Sequence, residues 1–131
     1  MKILVINGHP DKESYCQAIF QTIVETIDSN RHELKVINLN EEDFDPVLRY
    51  GYRKRMEEDP FILRSQEWIQ WADHLIFVYP IWWSSMPSLL KGWIDRVFTP
   101  GIAYSANDQG SFIWNYLRGK QFKKLLKGKT A

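Results

Sequence analysis

The sequence predicts a doubly wound α/β domain built on a parallel sheet. Three short apolar runs, "KILVIN", "HELKVINLN" and "HLIFVYP", are separated by stretches long enough to hold a helix each. Those stretches carry apolar residues at helical rather than alternating spacing. Connections of that length imply parallel strands joined by right-handed crossovers. The order β-α-β-α-β-α is that of a sheet layered with helices.

Lys2–Asn7 is nearly all apolar, the pattern of a strand buried on both faces. "GHPDKE" ends it. Ser14 is placed to cap the next helix, where Ile19, Phe20, Ile23, Val24 and Ile27 make one apolar face. The second strand is His32–Asn40, with Leu34 and Val36 alternating against Glu33 and Lys35. The charged segment 41–58 reads as a long irregular connection. Asp59 and Pro60 start the second helix, with proline at the first helical position. Leu63, Trp68, Ile69 and Ala72 are its expected inner face. His74–Pro80 is the third strand. Pro87 opens a third helix, whose stripe is Leu89, Leu90, Trp93, Ile94 and Val97. Beyond Thr99 the chain is expected to be part loop and part short basic helix, and "GKTA" to lead towards a fourth strand.

The length of 131 residues fits one domain, 1–131, with a single core. A net charge of +1 offers no bulk argument for nucleic acid or a membrane surface as partner. The lone cysteine, Cys16, excludes an internal disulfide and a cysteine zinc site. No apolar run approaches the about 20 residues of a membrane span, and a cytoplasmic location is expected. His32 and His74 stand at the amino ends of strands without clustered partners, so no metal site is expected. The basic residues after Thr99 read as a solvated face, with an anion-binding surface as the alternative.

Open α/β sheets bind ligands at the carboxyl ends of their strands. If the strand order is 2-1-3, "NGHPDKES" and "YPIWWSSMP" become neighbours there. The first opens onto a helix start, where free N–H groups and the helix dipole favour a phosphate. Ser14 and His9 add donors, although a plain strand-to-helix turn is equally compatible. It is neither a P-loop nor a three-glycine dinucleotide turn. Cys16, in the first helical turn, is either an activated thiol or a small packing residue. In the second loop, Trp82 and Trp83 offer planes and "SSMP" offers backbone donors, which suits a flat heterocycle with polar edges. Trp82 alone could equally fill the core. Trp68, Trp71 and Trp93 read as core.

"ILVINGHPDKESYCQA", "DFDPVL" and "YPIWWSSMPSLLKGWIDRVFTPGIAY" resemble the NAD(P)H:quinone reductase family of flavodoxin-like flavoproteins. The similarity covers about residues 1–104 and returns at 125–131. It implies a flavodoxin-like fold and a flavin, usually FAD and in some relatives FMN. It also implies two-electron reduction of quinones by NAD(P)H, the flavin supplying the chemistry and the protein the orientation. By resemblance, His9, Ser14, Tyr15 and Cys16 take the phosphate-contact positions, this chain having Tyr15-Cys16 where many members carry Phe-Asn. Pro80, Ile81, Trp82, Trp83 and Ser84 fall on the isoalloxazine contacts. Trp83 and Tyr104 fall on the substrate pocket, the tyrosine often reaching across a homodimer interface.

Family members continue for two more strands, so strands four and five are expected to be missing and the outer edge of strand three to be bare. The segment 107–124 is not a family feature. The alternative reading is a regulatory or interaction subunit, such as the ancillary flavoproteins of potassium-efflux systems. A one-electron carrier fits less well, since such carriers are usually strongly acidic.

Overall fold

The structure, a computed structural model, describes residues 1–106, 122–124 and 126–131. Strands β1 (Lys2–Asn7), β2 (Glu33–Asn38) and β3 (His74–Val78) form a parallel sheet in the order β2-β1-β3. Helices α1 (Tyr15–Thr26), α2 (Pro60–Trp71) and α3 (Ser88–Val97) connect and follow them. Leu39–Glu41 makes a single 3-10 turn after β2.

Alternation along β1 divides the core. Ile3 and Val5 point to one face, where they meet Phe20 of α1 and Val78 of β3. Leu4 and Ile6 point to the other, against Ile69 of α2 and Leu90, Trp93 and Val97 of α3. Both faces of β1 are therefore covered, which is why its sequence has no polar alternation. β2 is an edge strand and behaves differently. Leu34 packs towards α1 and Ile37 is buried on the opposite face, while Val36 is 39% exposed. The expected inward pair Leu34/Val36 is thus half right: α1 covers only the start of that strand.

The ends of α2 and α3 follow local chemistry. Asp59 caps α2 by accepting from the Phe61 and Ile62 amides, and Pro60 sits where no intrahelical donor is needed. That start fixes the helical phase. Phe61, Ile62, Ser65 and Ile69 turn inward, and Leu63, expected inside, is 37% exposed. Ser65 is tolerated in the stripe because its hydroxyl accepts from the buried Trp93 indole at 3.1 Å. Trp68 and Trp71 are half-buried, under the cations of Lys35 at 5.1 and 4.4 Å.

After α3 the chain makes a second, antiparallel pair, β4 (Tyr104–Ala106) with β5 (Phe122–Lys124). A strand at 122–124 replaces the basic helix expected there. Most of the unfamiliar segment, with Arg118 and Lys120, lies outside the described residues. Thr130 then pairs with His74 in parallel sense on the outer edge of β3. Its amide donates to the Asp73 carbonyl at 3.1 Å, and its carbonyl accepts from Leu75 at 2.9 Å. Lys129 donates to the Gln70 carbonyl at 2.8 Å and also to that of Ala72, where α2 ends. "GKTA" therefore does lead to the fourth-strand position, and the first rung of the β3 edge is occupied rather than bare.

Candidate functional site

The loops after β1 and β3 meet at the carboxyl end of the sheet. The Gly8 amide donates to the Val78 carbonyl at 2.8 Å, stitching the two strand ends together. A Cβ at Gly8 would lie 2.7 Å from the Leu90 side chain, which would have to shift to admit it. Beyond it, the His9 ring meets Trp82 edge-on, with centroids 5.4 Å apart and planes at 78°.

The first loop is shaped by its own side chains. His9 Nδ1 accepts from the Asp11 amide at 2.9 Å. A neutral His9 therefore carries its proton on Nε2, which is left to donate. Asp11 Oδ1 accepts from Glu13, and Ser14 Oγ accepts from Gln17 as the cap of α1. The Ser14 hydroxyl hydrogen remains available, as do the amides of Tyr15 and Cys16, the first two of the helix. The Tyr15 ring is 81% exposed. Cys16 packs against the Ile3–Val5–Phe20 cluster, the small-residue role.

Beneath the loop lies a cluster of amides that sequence reasoning passed over. Asn7 is fully buried; its Nδ2 donates to Gln17 Oε1 at 2.8 Å and to Asn38 Oδ1 at 2.9 Å. Asn40 Nδ2 donates to Gln17 Oε1 and to the His9 carbonyl, both at 3.2 Å. The signal was present: two adjacent parallel strands both end on asparagine, and the register sets Asn7 opposite Asn38.

The second loop is a two-residue reverse turn. Trp82 and Ser85 exchange backbone hydrogen bonds at 2.8 and 3.0 Å. Between them Trp83 (φ 50°) and Ser84 (φ 60°) both take the left-handed region, the geometry that turns usually give to Asn-Gly. Trp83 is 100% exposed, Ile81 76% and Trp82 46%, while Pro80 is half-buried. The tryptophans are therefore not core. Tyr104 is half-buried and lies near Tyr52. Burial, and then the neighbouring Tyr104 and Asp95, push the Tyr52 phenol above its usual 10.0. One chain thus brings His9 and Trp82 together but leaves Trp83 without a packed neighbour.

Two open cavities, of about 430 and 470 Å³, lie under the 48–59 connection rather than at the strand ends. Buried Arg96 lines both and donates to the Asp45 carbonyl. The Val47 amide, and then the Arg49 guanidinium at 2.7 Å, hold the Asp45 carboxyl below its ordinary 3.8. Arg49 thus pairs with Asp45, and Arg55 with Glu58 at 3.5 Å. These cavities are mostly lined by a self-neutralising surface loop, whereas the strand-end loops present free donors and exposed rings. The strand ends are the better candidate. Among the described residues no group of His, Cys, Asp or Glu is arranged to hold a metal, and no helix is long and apolar enough to cross a membrane.

The residues at this end fit a flavin phosphate through their donors, a helix start with unused amides and a free hydroxyl; the buried Asn40 Oδ1, which has no protein partner, is an acceptor and calls for a donor rather than an anion. Comparison with known proteins agrees with the geometry. Residues 1–130 match the model of a family described as having the flavodoxin-like fold. The chain is 31% identical over 134 residues to NAD(P)H dehydrogenase [quinone] 1 of Cavia porcellus, covering 85% of this chain and 49% of that protein. It is 29% identical to a ribosyldihydronicotinamide dehydrogenase-like protein of Penicillium crustosum, covering 100% of this chain and 55% of the relative. Among solved structures, Smu.1420 of Streptococcus mutans superposes with a TM-score of 0.74 at 33% identity, over 98% of this chain and 64% of that one. The NAD(P)H:quinone oxidoreductase of Methanothermobacter marburgensis gives 0.68 at 29%, over 80% of this chain and 57% of that one. The chain thus spans about half the length of the curated relatives it matches. With a 2-1-3 parallel sheet, paired strand-end loops and a match over nearly its whole length, the chain belongs to the flavodoxin-like fold family and has NAD(P)H:quinone oxidoreductases among its relatives.

Proposed function

We propose that this chain is a flavin-dependent NAD(P)H:quinone oxidoreductase that passes two electrons from NAD(P)H to a quinone. The observation that carries the reading is the His9–Trp82 contact, which joins a phosphate-type loop to an aromatic turn at the end of the sheet. FAD is the proposed flavin, with FMN as the alternative; when bound it supplies the hydride-accepting and hydride-donating chemistry. The α1 amides of Tyr15 and Cys16, the Ser14 hydroxyl and His9 Nε2–H would hold its phosphate. Pro80, Ile81, Trp82, Trp83 and Ser84 would border its ring. Trp83 would also shape the pocket for nicotinamide and quinone and exclude water from it. Tyr104 would serve that pocket from the partner of a homodimer. We place the protein, as a single domain, in the cytoplasm.

The visible spectrum of the purified chain tests this. Bound flavin should bleach with NADH or NADPH and recover on addition of a quinone. A colourless protein that takes up neither FAD nor FMN would overturn the assignment.

A further inference from the structure

Gln17 touches both arms of the amide cluster under the first loop with a single side-chain oxygen. Its Oε1 accepts from Asn7 and from Asn40. Those asparagines hold the His9 backbone at both of its polar groups. The His9 amide donates to Asn7 Oδ1 at 3.1 Å, and the His9 carbonyl accepts from Asn40 Nδ2 at 3.2 Å. The orientation of Asn40 follows from Gln17. Turned over, its amide would set oxygen against oxygen and lose the bond to the His9 carbonyl. It keeps its present orientation although Oδ1 is then buried without a protein partner. From His9 the contacts continue outward, through Nδ1 to the Asp11 amide and through the ring edge to Trp82.

We propose that Gln17 is the positioning residue of the phosphate loop: it fixes Asn7 and Asn40, and through them His9, in the arrangement that receives a flavin phosphate. This rests on the flavin reading above. Gln17 itself would not touch the ligand. A side chain that accepts twice is required, so Gln17→Glu should keep both arms and Gln17→Leu should release them.

Two measurements on the full chain decide it. The first is the ¹⁵N spectrum of the His9 imidazole without flavin. The wild type should show the Nε2–H tautomer, Gln17→Leu a mixture, and Gln17→Glu the wild-type pattern again. The second is calorimetric titration with FMN and with riboflavin, which lacks the phosphate. Gln17→Leu should weaken FMN about tenfold, the scale of one or two lost hydrogen bonds, and leave riboflavin unchanged. Should Gln17→Leu not fold, Asn40→Ala, which removes one arm, should shift both readouts in the same direction. An unchanged His9 tautomer in the releasing variant overturns the proposal. So does an equal change, or no change, for FMN and riboflavin. A wild-type chain that binds neither FMN nor FAD would instead remove the flavin reading itself.

Discussion

Trp83 and Ser84 hold a backbone conformation that side chains resist. In the left-handed region the Cβ crowds the carbonyl oxygen, at a cost of about 1–2 kcal/mol per residue. Trp83 recovers none of this through packing, because its side chain is entirely exposed. Trp83→Gly should therefore stabilise the fold by about 1 kcal/mol in urea denaturation, while lowering quinone reduction. A loss of stability would mean that the ring packs after all. At Asp45 the folded carboxyl titrates below 3.8, held by Val47 and Arg49. A lowered carboxylate pKa adds stability above its unfolded value, and that gain fades as pH falls through the folded one. Asp45→Asn should flatten the pH dependence of stability below about pH 3.8, read by thermal melts across the acid range. Aromatic rings beside Ser-Ser were legible as a surface feature. The left-handed turn was not, since no Gly or Asn marked it. The amide cluster was hidden for another reason: its members are far apart in sequence and meet only through strand register.

Between elements, two close fits hold α3 in place. Gly92 faces the 44–46 segment so tightly that a Cβ would lie 2.4 Å from the Pro46 carbonyl oxygen. That neighbour is backbone and cannot swing aside. Gly92→Ala should destabilise by about 1–3 kcal/mol through overpacking, a loss visible as a lower urea midpoint. The second fit is the Trp93–Ser65 hydrogen bond in the core. Ser65→Ala would strand a buried indole N–H, at a cost of about 1–3 kcal/mol, whereas the double change with Trp93→Phe should recover part of that loss. The helices themselves were legible from periodicity, caps and Pro60. The inner face of α2 was misread by one residue: Leu63 looked apolar enough, but the cap at Asp59 sets the phase that buries Phe61 and Ile62 instead.

Across the whole molecule, the parallel order β2-β1-β3 brings together two loops about 70 residues apart in sequence, and this is the step that assembles the site. The three parallel strands followed from the apolar runs and connection lengths; the convergence needed in addition the order 2-1-3, which those features do not set. The β4–β5 pair did not follow, because three-residue strands carry too little alternation to be recognised. Thr130 shows how the sheet extends beyond β3. In the homodimer proposed above, Tyr104 of one copy serves the pocket of the other. Light scattering should therefore return twice the mass of 15.6 kDa, and a monomer at all concentrations would exclude a shared pocket.

The same bare ring gives the protein an optical handle. An indole in full contact with water emits at longer wavelength than one enclosed by hydrocarbon, and Trp93 at 0% exposure is its internal contrast. Acrylamide should quench the red edge of the emission first, and Trp83→Phe should diminish that component, with Trp82, 46% exposed, retaining a share of it. A pocket that closes over Trp83 would then announce itself as a shift to the blue.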